Sequence, residues 1–211
     1  LEAEHPLELA GPEIIPALVE AVQSGSGCAG IYSKVWLATP ARFRRALPMP
    51  RTERRIIRTF AAFRLGQFGA QASAAVPALT RLCQQPANVM VDRARALQAL
   101  GWIGPAASSA KPVLVDRLHD QNQFVRQCAV QAMLDIGDLT PDVAPQLRPL
   151  LQEKYAWVRG PAAVAVWIAT QQDGSLQRVN DYLRQEHNRG LRIATAVALS
   201  RARTIPEETC T

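Results

Sequence analysis

Histidine, aromatic residues and paired cysteines are all scarce in this chain, and each scarcity removes a class of function. The three histidines, His5, His119 and His187, are too dispersed to give the spacing of a metal site. Cys28, Cys83, Cys128 and Cys210 form no Cys-x-x-Cys pair, and they read as free, buried thiols in a reducing, cytoplasmic setting rather than a disulfide framework. No apolar run approaches the roughly 18 residues needed to span a bilayer. The longest, Ala162 to Ala169, reads as a packed helix. There is no Gly-x-Ser-x-Gly, phosphate loop or dinucleotide fingerprint. No catalytic, cofactor or metal residue is therefore assigned, and the chain reads as non-enzymatic. Glycine (12) and proline (15) are too few in 211 residues for a disordered composition. The chain starts at Leu1 rather than Met, which leaves room for an upstream signal, anchor or further repeats.

What the sequence does have is a period. Arg93-x-x-Ala96-x-x-Ala99, Arg126-x-x-Ala129-x-x-Ala132, Arg159-x-x-Ala162-x-x-Ala165 and Arg192-x-x-Thr195-x-x-Ala198 recur every 33 residues, and Arg58-x-x-Ala61 stands 35 residues before the first. A repeat of this length marks a solenoid, because one unit cannot bury its apolar face without neighbours. With 48% hydrophobic residues the chain can bury a long core. The expected fold is all-α: an α-α superhelix of about five to six helical hairpins.

Each unit reads as two helices. The first opens on a proline, as at Ile15-Pro16, Val76-Pro77, Lys111-Pro112 and Ala144-Pro145, where a missing N–H is harmless. The second begins near the repeat arginine and ends at Gly66, Gly101 to Gly104 or Gly137, glycine serving as a left-handed cap. The period breaks near 25–50, where an irregular insertion carries Ser24-Gly25-Ser26-Gly27 and two short helical patterns. The whole of 1–211 is expected to be one repeat domain: a degenerate first repeat with its insertion over 12–50, regular repeats over 51–205, and a tail at 206–211.

Asp120, Glu153 and Glu186 each precede a repeat arginine by six residues. They are expected to meet Arg58, Arg93, Arg126, Arg159 and Arg192 in a ladder along the turns, fixing register more than stability. Charge is also localised. The net charge is +6, yet residues 34–64 hold nine basic residues against one acid, Glu53, leaving −2 for the remainder. Arg51, Arg54, Arg55 and Arg58 would share one helix stripe, with Arg42, Arg44 and Arg45 just upstream. Such a density of arginine can clamp phosphates or carboxylates, or form a plain solvated face. The four tryptophans are expected in the core by default, with Trp102, at a helix end, the one placed for partner contact.

On Val125-Arg126-x-x-Ala129, Ala162-Ala163 and the break at 101–105, the chain resembles bacterial HEAT-like repeats of the phycobilisome-lyase type, well over 55–205 and weakly over 10–24. The resemblance implies a HEAT-like solenoid: a right-handed superhelix with a concave groove, used mainly to bind other macromolecules and not tied to one activity. Di-iron hydroxylases on such repeats carry His-Glu pairs inside helices, whereas Glu4-His5, His119-Asp120 and Glu186-His187 fall in turns or at the terminus. HEAT-like DNA glycosylases set an aspartate beside exposed tryptophans, but the turn after Trp102 holds Ala106 and Ala107 instead. The expected function is a scaffold for a protein partner. Nucleic-acid binding through 34–64 is the alternative, followed by a lyase-like or glycosylase-like enzyme.

Overall fold

The computed structural model describes residues 11–24, 54–85, 90–171, 173–184 and 188–202. Among them are only helices, turns and connections. Ten α-helices form five antiparallel pairs: α1 (Ile15–Ser24) with α2 (Arg54–Gln67), α3 (Val76–Cys83) with α4 (Met90–Ile103), and α5 (Lys111–Arg117) with α6 (Gln123–Ile136). The last two pairs are α7 (Ala144–Leu147) with α8 (Ala156–Thr170), and α9 (Asp173–Arg184) with α10 (Arg189–Arg201). The second helices stack in chain order, α2 on α4, α4 on α6, α6 on α8 and α8 on α10. This is the helical-repeat solenoid expected from the 33-residue period.

Local chemistry explains the boundaries. Pro77, Pro112 and Pro145 sit in the first turn of α3, α5 and α7, where no helical bond is lost. The Asn122 side chain accepts the Phe124 N–H at 2.9 Å and caps α6, and Asn188 does the same for Leu191 at the start of α10. Gly137 ends α6 in the left-handed region, with φ 81°. The other left-handed glycines are Gly69 and Gly104, each opening a 3-10 stretch that leads into the next first helix. Gly66 and Gly101, expected to serve as caps, lie inside α2 and α4 instead.

Their role is close approach. A Cβ on Gly66 would lie 2.9 Å from the Ala99 Cα and 2.7 Å from the Trp102 ring. One on Gly101 would lie 3.0 Å from the Ala132 Cα, and one on Gly160 would lie 2.9 Å from the Thr195 N. Glycine facing alanine or threonine thus lets successive second helices touch backbone to backbone. One buried cluster runs from Ile15 to Ala198, rich in alanine at these contacts and in leucine between the layers. Each buried leucine, such as Leu97 or Leu134, contributes roughly 1.5–3 kcal/mol through removal from water. No helix among the described residues is long and apolar enough to cross a membrane.

Gly66→Ala should lower stability by about 1–3 kcal/mol, because the new methyl meets helix backbone. Gly174→Ala, where nothing lies within 4 Å, should be neutral or stabilising by up to about 1 kcal/mol. Urea unfolding of the two variants distinguishes packing from helix propensity; equal effects would contradict the close-approach account.

Candidate functional site

The repeat arginines link the hairpins through their turns. The Arg126 guanidinium donates to the Asp120 and Gln121 carbonyls, at 2.7 and 3.2 Å, in its own hairpin turn. The same group lies 2.6 Å from the Glu153 carboxylate in the next turn. Arg159 in turn donates to the Glu153 carbonyl at 2.6 Å. Arg93 bonds the Gln85 carbonyl at 3.1 Å and lies 3.2 Å from both Asp120 oxygens. Asp120 also accepts the Asn122 N–H at 2.9 Å and lies 3.4 Å from Arg117. Each acid therefore uses its carbonyl for one arginine and its carboxylate for the preceding one.

The ends of the series differ. Arg58 lies 3.8 Å from Asp92, a buried carboxylate that accepts the Thr59 hydroxyl at 2.7 Å. The position six residues before Arg93 is Ala87, so no turn acid is available there. Arg192 is exposed, and Glu186 lies outside the described residues.

A second set of residues shares the same register. Among the described residues, the exposed large apolar side chains are Phe60, Val91, Phe124, Trp157, Ile193 and Val197, all on second helices. Val91, Phe124 and Trp157 each stand two residues before a repeat arginine, one per hairpin. Phe124 and Trp157 border two adjoining hollows. One, of about 270 Å³, lies among α6, α8 and α10, with Gln127, Gln131, Trp157, Pro161, Ile193 and Val197 in its lining. The other, of about 140 Å³, shares Gln127, Gln131 and Val197 and reaches Gln98, Trp102, Phe124 and Asp135. Because Val197 of α10 shares a hollow with residues of α4, and α10 also touches α6, the stack curls toward this side. The second helices line its concave face.

Trp102 is half-buried, set edge-on against Phe63 with ring centres 5.4 Å apart. The core expectation fails for Trp157, which is 44% exposed and stacks on Tyr155 at 5.1 Å; it holds for Trp167, which is buried. Trp157 shares its phase with Phe124, and that phase points into the groove. Its shared register was visible in the sequence, but register alone does not say which phase faces water. Asp135, one repeat after Trp102, is the carboxylate that lines the smaller hollow; it is buried and accepts an amide N–H of Gln131 at 3.1 Å. Arg95 donates to Gln98 at 3.0 Å and lies over the Phe63 ring.

Of the basic stripe, Arg42, Arg44, Arg45 and Arg51 lie outside the described residues. Arg54 and Arg55 start α2, and their side chains also lie outside the description. His119 pairs with Gln146 at 3.2 Å, and no group of potential metal ligands occurs among the described residues. Cys83 and Cys128 are buried free thiols. Burial raises the Cys83 thiol pKa far above its ordinary value, outweighing the opposite pull of Arg117 and Arg93.

Residues 86–167 match the family model of HEAT repeats, a stretch that includes the Arg93–Asp120 and Arg126–Glu153 pairs and the Phe124 and Trp157 phase. Compared with curated proteins, the chain has no match. Over this stretch the chain is similar to HEAT repeats, and its described residues form an all-α helical-repeat solenoid.

Asp120→Ala strips the buried Arg93 of its counter-charge and should cost about 3–5 kcal/mol. Glu153→Gln, in a partly exposed pair, should cost about 1 kcal/mol or less. Chemical denaturation reads the difference, and similar losses would refute the ranking. Native protein should also resist iodoacetamide at Cys83 at about pH 8 and react once unfolded, as peptide mass mapping would show.

Proposed function

We propose that this chain is a non-enzymatic helical-repeat scaffold that binds a protein partner along the concave face of its second helices. HEAT repeats in general act as interaction scaffolds, and the likeness to phycobilisome-lyase-type repeats is compatible with an adaptor role. The observation that carries the reading is the collection of every exposed large apolar side chain, among the described residues, on that one layer. A row of such groups at one per hairpin is costly to leave in water and marks an interaction surface. We take 1–211 as one repeat domain, working in a reducing compartment where buried thiols such as Cys83 and Cys128 persist. Trp102 belongs to the proposed surface.

Nucleic-acid binding through 34–64 has weaker support. Arg58 is turned to Asp92, and Arg64 donates to Gln67 and lies over Phe68. Phosphate contacts by the remaining arginines would give retardation of DNA or RNA that falls steeply with salt.

A photo-crosslinking residue at Gln127, in the groove, should capture a defined host protein. The same residue at Ser108, exposed in the first-helix layer, should not. Phe124→Ser with Trp157→Ser should reduce the Gln127 crosslink at least tenfold, with circular dichroism checking the fold, because both side chains stand outside the buried core. Equal labelling from both positions would exclude the concave face as the binding surface.

A further inference from the structure

We infer that the first-helix side of the stack holds a binding site for a phosphate monoester, set in a cleft between the fourth and fifth hairpins. The site is separate from the concave face and does not depend on what binds there. In the second to fourth hairpins the first helix is reached through a 3-10 stretch, Gly69–Ala75, Gly104–Ala110 or Pro141–Val143. The first two of these pack on each other. No such stretch precedes α9 among the described residues. It begins at Asp173, two residues after Gln171 ends α8 in the left-handed region with φ 50°. The far half of α9 reaches the 3-10 stretch Arg148–Gln152, where the Tyr182 hydroxyl lies 3.5 Å from the Leu151 carbonyl. The first turn stands off, and a hollow of about 360 Å³ opens there over Ala163 and Val166 of α8.

Arg148 and Arg178 line this hollow from its two sides, one from the 3-10 stretch and the other from α9. Both are exposed, and neither has a hydrogen bond or ion pair among the described residues. Arg93, Arg117, Arg126 and Arg159, by contrast, are committed to carbonyls or carboxylates. No acid is among the described residues that line the cleft. Two unpaired charges of one sign on facing walls repel each other, and a cleft of that kind concentrates counter-ions. An anion between the guanidinium groups relieves the repulsion.

The donors set the class of ligand. Each guanidinium presents a planar fork that suits two oxygens of one anion. A carboxylate has one two-oxygen edge and a single charge. A phosphate monoester carries about −1.5 to −2 charges at pH 7 and three acceptor oxygens, so it can meet both forks and balance both charges. The hollow also falls within the roughly 300–1,000 Å³ range of small-ligand sites. Leu151, Ala163 and Val166 give the organic part of the ester an apolar wall. At Gly174 an added Cβ would meet nothing within 4 Å. The ligand can therefore come close to the start of α9, whose dipole adds to the attraction.

Isothermal titration with phenyl phosphate, phenylacetate, and a phosphoserine peptide beside its unphosphorylated form tests the site. Phenyl phosphate should bind at least tenfold tighter than phenylacetate. Arg148→Gln and Arg178→Gln should each weaken it roughly tenfold or more, the loss expected for a charged hydrogen bond. Arg184→Gln, which removes an exposed charge from the other end of α9, should leave it nearly unchanged. Thermal unfolding verifies that the three variants fold. Tighter binding of the phosphoserine peptide than of phenyl phosphate assigns the ester to a protein ligand, and weaker binding assigns it to a small molecule; both support the site. No binding of either phosphate ester, equal binding of phenylacetate, or an equal loss in all three variants overturns the inference. Equal affinity for a single-stranded oligonucleotide, whose phosphodiesters carry one charge each, also overturns it.

Discussion

Arg93 and Arg126 hold the middle hairpins of this stack in register. Arg126 grips the carbonyls of its own turn and the Glu153 carboxylate of the next, while Arg159 takes the Glu153 carbonyl. The turns are thereby linked head to tail, and each second helix starts at the same height as its neighbour. A slip of one helix residue would rotate its faces by about 100°, removing glycine from the contact and exposing the alanine face. Close packing and the arginine series therefore depend on each other.

The same register produces the concave face. Because the helices are held in phase, residues two positions before each arginine line up across hairpins, and whatever stands there forms a row. Val91, Phe124 and Trp157 are such a row, with Gln98 and Gln131 forming another at a second common phase. The regularity that builds the core also sets the spacing of the surface.

Departures from regularity are informative for the same reason. Asp92 occupies a phase held by Val125, Val158 and Leu191 in later hairpins, and from α2 Thr59 bonds one of its oxygens while Arg58 lies 3.8 Å from the other. The first interface is thus polar where the others are apolar. Pro161 sits inside α8 and lines the larger hollow; its ring removes the bond that would return to the Trp157 carbonyl. Both departures fall on the second-helix layer.

The helix class, the hairpin count, the proline starts and the pairing partners Asp120 and Glu153 were legible in the residues, since a fixed period ties each to a local rule of helix geometry or charge. Gly66 and Gly101 were not. A glycine near a helix end reads as a cap until the neighbouring helix shows that its missing Cβ is needed for contact. Trp157 and Asp135 were hidden for a related reason, as periodicity assigns residues to a common face without saying whether water or another helix lies beyond it. That depends on how the stack curls, which no single hairpin encodes. Only the summed packing of α4, α6, α8 and α10 places Trp102, Asp135 and Val197 around one hollow.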